Sequence, residues 1–442
     1  MSQPHPHNGL KKAITPLVLW GLGVGYVISG MYCGWNLGLK EGGTLGLAIA
    51  TFFIIILYSC FSLSYAEMAC AIPKAGGAFD YTNRALGKNF GFFAGMAQNI
   101  EFISAPPAIA FAIGSYLNLF FPDFSVLLIS IAVYVIFTAL NIYGVKAAAR
   151  FELIITLLAV FELLLFSAVT LPQFKLSNLT HNALPNGYMG IFAAIPFAIW
   201  FFLGIEGLAN VAEETINPQK NISRGFWSTL ITLIILCILT FISAIGVAGW
   251  EAIVYNKLGE LSDSPLPLAM SKVVGENSIL FHLLITIGLF GLVASFNGLI
   301  LAAGRSSFEF GRSGFAPAFL GKVNNRFKTP ANALLINLCI GIIILLTQKT
   351  GEIIIISVFG ALCLYIISMV SLLVLRKKEP ELVRPYRVPF YPLTPIMALT
   401  ISFTAFLFIT YLNLSAALIY FIIIAVSFIG FKVLHHKNIR HD

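Results

Sequence analysis

Residues 196–215 read PFAIWFFLGIEGLANVAEET, and the interpretation of this stretch decides how the chain is built. It is apolar on both flanks, yet Gly204, Glu206 and Gly207 interrupt its centre, where a membrane-spanning helix ordinarily avoids both a carboxylate and paired glycines. The glycines predict a helix that opens for a few residues. Opened backbone at bilayer depth is tolerated only where it lines a cavity or is buried in protein, and transporters build substrate sites in this way.

The composition allows that reading. The 442 residues are 58% hydrophobic and 10% charged, with a mean hydropathy of +0.89, far too apolar for a soluble globule of this length. Long apolar runs alternate with short basic loops, which marks helical spans; barrel strands would alternate in character over about ten residues. Runs of sufficient length predict twelve spans, near 16–38, 43–70, 91–120, 124–143, 148–171, 188–213, 222–249, 277–304, 331–347, 351–376, 391–412 and 414–434. The formal charge of +8 follows from topology, not from a nucleic-acid partner. With the N-terminus inside, 22 of the 27 basic residues fall on the cytoplasmic side. Only Lys40, Lys175, Lys257, Lys272 and Lys349 fall outside, and the positive-inside rule then places both termini in the cytoplasm. Residues 1–15 and 435–442 are the expected cytoplasmic ends of a multi-pass protein of the inner (plasma) membrane, with the first apolar run retained as a span. The six cysteines lie within or at the ends of the spans with no CxxC pair, so they read as buried small hydrophobes; no metal or cofactor site is expected.

The first span, TPLVLWGLGVGYVISGMYCGWNLGL (15–39), is also interrupted, at Ser29-Gly30-Met31-Tyr32-Cys33-Gly34. Breaks in the first and sixth spans occupy corresponding positions in two sets of five, the signature of an inverted-repeat transporter with its site at the repeat interface. The expected architecture is therefore an all-α integral membrane protein of twelve helices. A 5+5 inverted repeat (16–171 and 188–376) has broken helices 1 and 6, and two further helices (391–434) follow.

Isolated carboxylates mark the interior. Glu101 lies about 15 Å into the third span, near the midplane of a core about 30 Å thick. Pro106-Pro107, just beyond it, removes backbone donors and frees carbonyls one turn earlier. A carboxylate beside free carbonyls suits an ammonium. Glu152 and Glu162 occupy the fifth span; Glu162 reads equally as a coupling residue or as a protonated packing residue. Glu213 and Glu214 lie at the interfacial end of the sixth span as solvated or gating charges, with Arg224 and other internal basic residues as partners. Between 251 and 276, Glu251, Glu260, Asp263 and Glu276 read as a solubilising external loop, or as a weak attraction for cations.

Four motifs carry a resemblance. IPKAGGAFDYTNRALG after the second span, IEGLANVAEETINPQKNISRG (205–225), ILAAGRSSFEFGRSGFAPAFLGKVNNRFKTPANAL (300–334) and LRKKEPELVRPYRVPFYP (375–392) resemble, in order, the signatures of the amino acid-polyamine-organocation superfamily. VISGMYCGWNLGLKEGGTLG (27–46) and EFISAPPAIAFAIGSYLNLFFP (101–122) look like its ethanolamine permease branch. The resemblance implies secondary active transport by alternating access, the first and sixth spans moving against a scaffold that includes the third and eighth. It also implies that Ser295 and Asn297 of the eighth span contribute to a cation site beside the first. The lysine that replaces sodium in proton-coupled relatives corresponds to Ala159, so the coupling ion, H+ or Na+, stays open.

In amino acid carriers of the superfamily, a G-x-G break in the first span holds the substrate carboxylate. Here the triplet is Ile28-Ser29-Gly30. Ile28 would crowd a carboxylate, while Glu101 and Glu206 supply negative charge that a zwitterion needs less. The expected substrate is a small amine without a carboxylate, ethanolamine first and choline second, with an amino acid permease or exchanger as the alternative. The candidate substrate residues are Ser29, Gly30, Met31, Tyr32, Trp35, Glu101, Trp200, Phe202, Gly204 and Glu206; those for coupling are Glu162, Ser295 and Asn297. Tyr32, Trp35, Trp200 and Phe202 form either aromatic walls for a cation or ordinary core, and Glu206 either meets the ligand or supports the opened helix. A channel would need a continuous polar pore. A membrane enzyme would need a catalytic set, and no HExxH or nucleophile-base spacing is present. Monomer and homodimer both fit.

Overall fold

The computed structural model describes residues 12–144 and 148–439. Lys11, Lys146 and Arg440 lie outside them, as do residues 1–11 and 440–442 of the expected terminal segments. Among the described residues the chain is helical, with ten helices long and apolar enough to cross a membrane; two shorter apolar helices, at 16–32 and 331–345, stand as the first and ninth spans. The twelve spans are Pro16–Val27 with Ser29–Tyr32, Leu37–Ala71, Lys88–Asn118, Val126–Tyr143, Ala148–Thr170, a broken sixth, Pro218–Ala248, Ile279–Arg312, Ala331–Leu345, Thr350–Lys378, Leu393–Leu412 and Leu414–Ile439. The sixth is made of Gly187–Ala193, Ile195–Trp200 and a 3-10 segment, Ile205–Glu214. Both expected breaks are present.

The third span is the axis of the bundle. In its most apolar stretch 83% of the residues are buried inside the protein, against 17% for the fourth span and 22% for the twelfth, so the latter two lie on the outside of the bundle. Its helix continues through Pro106 and Pro107. Small residues let the tenth span press against it: a Cβ on Gly360 would sit 2.6 Å from the Ala97 carbonyl oxygen and 2.8 Å from the Glu101 nitrogen. Membrane helices lack a hydrophobic drive to associate, so such close backbone approach, together with hydrogen bonds, supplies the packing.

At the basic end of the molecule, Glu67 of the second span anchors the 375–392 motif. It is 1% exposed and accepts two hydrogen bonds from Arg376, at 2.7 and 2.6 Å, and one from the Val388 amide at 2.8 Å. The Arg384 guanidinium lies 3.3 Å away. The carboxylate thereby fastens the tenth span and the segment after it to the second, with its lone pairs met by charged donors. Beside this cluster, Ala13 and Ile14 donate their amides to the Glu214 carbonyl, at 2.9 and 3.0 Å, and Ile216 donates to Ile14 at 2.9 Å. Arg305, not Arg224, pairs with the Glu214 side chain (3.2 Å), while Glu213 accepts from the Ala75 amide (3.1 Å). The end of the sixth span is thus tied down on both sides.

At the opposite end the segment from 251 to 276 does more than solubilise. Asn36, just past the first-span break, donates its amide to the carbonyls of Ser262 (2.8 Å) and Ile253 (3.1 Å). Asp263 accepts from Thr350 at the head of the tenth span (3.1 Å). Burial lifts the Asp263 carboxyl from 3.8 to about 6, with the Thr350 hydrogen bond pulling the other way.

Candidate functional site

The first span opens because a side chain from another helix enters its hydrogen-bond ladder. Ser29 N–H ordinarily would bond Gly25 C=O four residues back. Instead it donates to Ser295 Oγ (2.9 Å), and the Ser295 hydroxyl donates to Gly25 C=O (2.6 Å). Insertion of a polar group into the ladder is a recognised cause of such breaks. The chain then turns at Cys33, which is extended, and at Gly34, whose φ of +83° suits only glycine among common residues. The sixth span opens between Trp200 and Ile205, and Gly204 at φ +99° supplies its turn.

The two breaks cross face to face. Gly30 packs its α-carbon directly on the Trp200 carbonyl, leaving no room for a side chain. The Trp200 indole donates to Cys33 C=O (3.0 Å), the Trp35 indole donates to Met31 C=O (3.0 Å), and Trp35 stacks on Phe201 with centroids 5.4 Å apart. These aromatics lock the crossing point.

Beside it lies an acidic pair. The side chains of Glu101 and Glu206, from the third and sixth spans, meet, and their residues are 0% and 1% exposed. Tyr365 of the tenth span donates to Glu206 Oε2 (3.0 Å), and the Tyr58 hydroxyl of the second span lies 2.9 Å from that of Tyr365. Both oxygens of Glu101 and Oε1 of Glu206 are buried without a protein donor. Facing carboxyl groups with no donor between them share a proton or take up a cation. The rings of Tyr365 and Phe61 (4.1 Å) and of Tyr58 and Phe202 (5.2 Å) surround the pair. Ser357 donates to the Glu101 carbonyl (2.8 Å), so one carbonyl near the proline pair already has a partner.

The remaining candidates divide away from this centre. Tyr32 turns toward the fifth span: its hydroxyl donates to Ala159 C=O (2.9 Å) and also meets Glu162. Its ring lies on Gly291 and Gly288 of the eighth span. Tyr32 thus belongs with Glu162, at a cavity with room for about one water that Tyr116 and Glu162 line. Asn297 accepts from Asn141 (2.8 Å) and faces Glu152. Glu152 Oε1 in turn lies close to Gly25, 3.0 Å from where a Cβ would stand. Tyr58 and Tyr365 escape a sequence reading, because a tyrosine in an apolar run signals an interfacial ring as readily as a buried hydroxyl.

Comparison with known proteins bears on the family and the fold. The profile of a family described as amino acid permease matches residues 14–428. An uncharacterized transporter of Rhizobium meliloti (strain 1021) is 28% identical, covering 98% of this chain and 94% of its own. The methylthioribose transporter of Bacillus subtilis (strain 168) is 26% identical over 90% and 88% of the two chains. A branched-chain amino acid permease of the same organism is 25% identical over 97% and 95%. Among solved structures, a mutant of the Eremococcus coleocola manganese transporter superposes with a TM-score of 0.59 over 100% of this chain and 98% of its own, at 14% identity. That likeness concerns the fold alone.

Proposed function

Because this chain belongs to the amino acid permease family, we propose that it is a secondary transporter whose substrate is a small amine lacking a carboxylate, with ethanolamine the leading candidate. The observation that carries this reading is the Glu101–Glu206 pair, whose three donor-free buried oxygens match the three N–H donors of a primary ammonium. Tyr58, Tyr365 and Phe202 add ring faces that attract a cation. The first-span break, by contrast, offers a carboxylate little. The Ser29 amide is held by Ser295 and the Met31 amide by Ile28 C=O (3.0 Å), while Gly30 faces a carbonyl oxygen.

In this mechanism the ammonium enters between the two carboxyl groups and donates to their free oxygens. The occluded arrangement then opens toward one membrane face or the other as the first and sixth spans move. Glu162 and the Ser295 ladder site serve the coupling cation, H+ or Na+. An amino acid permease is the second reading, favoured by the branched-chain relative.

Thermal shift of the purified protein with ethanolamine, choline, alanine and a polyamine separates the two, since a ligand that binds the folded state raises its apparent stability. Ethanolamine stabilises and alanine does not on the amine reading. Stabilisation by alanine alone replaces it with the amino acid permease.

A further inference from the structure

The third and sixth spans carry more than the acidic pair. Three residues before Glu101, about 4.5 Å along the helix toward the basic end, Gln98 is 3% exposed and its Oε1 is buried without a protein partner. Four residues after Glu206, about 8 Å along the 3-10 segment, Asn210 is 6% exposed and its Oδ1 also lacks a partner. The two elements that present carboxyl groups at mid-depth therefore present neutral, unsatisfied acceptors nearer the basic end. Burying such atoms unmatched costs free energy, and no hydrogen bond repays it in this arrangement.

The loop at 73–77, between the second span and the short helix Ala78–Leu86, lies against both. Gly76 borders a cavity with room for about one water that Gln98 also lines. Gly77, at φ +57°, presses its backbone on Asn210: a Cβ there would stand 2.6 Å from Asn210 Oδ1 and 3.2 Å from the Tyr65 hydroxyl. The loop thus closes over two amide oxygens without bonding either. It is held instead by carboxylates. The Ala75 amide donates to Glu213 (3.1 Å) and the Gly76 amide to Asp80 (3.2 Å). Glu309, paired with Arg312 (2.7 Å), lines the same cavity as Gln98.

We propose that the 73–77 loop is the transporter's gate at the basic end, and that Gln98 and Asn210 are the next contacts of the departing ammonium, a step that rests on the Glu101–Glu206 pair being its seat. When the loop withdraws, the ammonium exchanges carboxyl oxygens for the two amide oxygens, and then for Asp80 and Glu309. Neutral acceptors hold an ammonium less firmly than carboxylates do, so this step passes the substrate on instead of trapping it. Tyr65, whose hydroxyl stands at Gly77, also interacts with Glu206 and Glu101, which puts the gate within electrostatic reach of the pair. The latch is Glu213. It belongs to the sixth span, so displacement of that span unfastens the loop.

The gate is tested by labelling the detergent-purified full chain with N-ethylmaleimide, without substrate, and reading each cysteine by peptide mass spectrometry. Gln98→Cys should react slowly, and adding Glu213→Ala, which removes the latch, should speed the reaction about tenfold or more, the range of one hydrogen bond to a charged acceptor. The native Cys237, buried in the seventh span, should keep its rate, since general loosening would expose it as well. Asn210→Cys gives the same reading from the sixth span if melting shows that Gln98→Cys does not fold. An unchanged rate at the introduced cysteine, or an equal gain at Cys237, overturns the gate. Uptake into proteoliposomes tests the step. Gln98→Met keeps the length of the side chain without its acceptor, and should slow ethanolamine uptake about tenfold or more while ethanolamine binding changes less than about threefold. Uptake at the wild-type rate overturns the step. If the wild type itself does not bind ethanolamine, the amine reading falls and the step with it, and the labelling still decides the gate.

Discussion

At the scale of single residues, two isolated carboxylates were enough to locate the candidate centre, because a charge at bilayer depth is costly and has to be met by some interaction. Glu101 and Glu206 are more than 100 residues apart, yet their side chains meet. Their supporters were not legible. Tyr58 and Tyr365 stand in apolar runs with no local signal, and only the packing of the second span against the tenth brings their hydroxyls to 2.9 Å. Glu101→Gln should abolish ethanolamine binding, read by isothermal titration, while the melting profile of the purified protein stays cooperative; retained affinity would remove the carboxylate from the site. Tyr365→Phe deletes one hydrogen bond to a carboxyl, worth about 1.5–3 kcal/mol when the acceptor is charged. It should therefore weaken amine binding about ten- to a hundredfold in the same titration.

At the scale of elements, both breaks were legible from glycine and serine in otherwise apolar runs, but the cause of the first was not. Ile28 itself keeps right-handed helical backbone, φ −59° and ψ −23°, so nothing at that position forces the helix open. The agent is Ser295, 270 residues from the carbonyl it contacts. Ser295→Ala should let Gly25 C=O and Ser29 N–H bond each other, and should weaken ligand binding about three- to tenfold, the worth of a buried hydrogen bond of about 0.5–1.5 kcal/mol. Faster hydrogen exchange at Ser29 in the variant would contradict this, because a healed ladder protects that amide. Glu67→Gln leaves Arg376 and Arg384 facing a neutral amide. Breaking one side of a buried ion pair costs about 3–5 kcal/mol, so the variant should melt well below the wild type, while Glu379→Gln, at the 43% exposed side chain of Arg84, should scarcely change it.

At the scale of the whole molecule, hydropathy located all twelve spans, since each run long enough to cross a bilayer forms one helix or a short series of broken ones. It did not reveal that the segment from 251 to 276 is pinned over the end of the first span, because polar loops look alike in sequence. Asp263 binds its proton more tightly when folded than when unfolded, its carboxyl lifted from 3.8 to about 6. Its contribution to stability is therefore complete below about pH 3.8 and is lost as pH rises through 6. Thermal unfolding between pH 4 and pH 7 should show the wild type losing stability relative to Asp263→Asn, which keeps a partner for Thr350 but does not titrate. Orientation has its own check. A membrane-impermeant maleimide should label Leu258→Cys on intact cells and Val323→Cys only after permeabilisation, and the reverse pattern would invert the proposed topology. The bridging hydroxyl of Ser295 carries a last implication for assembly. The gap lies in the first span and its wedge in the eighth, so before the two pack together the Ser29 amide is free to bond its own helix. The opening at Ser29 is then a product of tertiary packing, and a chain that has not finished folding does not yet have it.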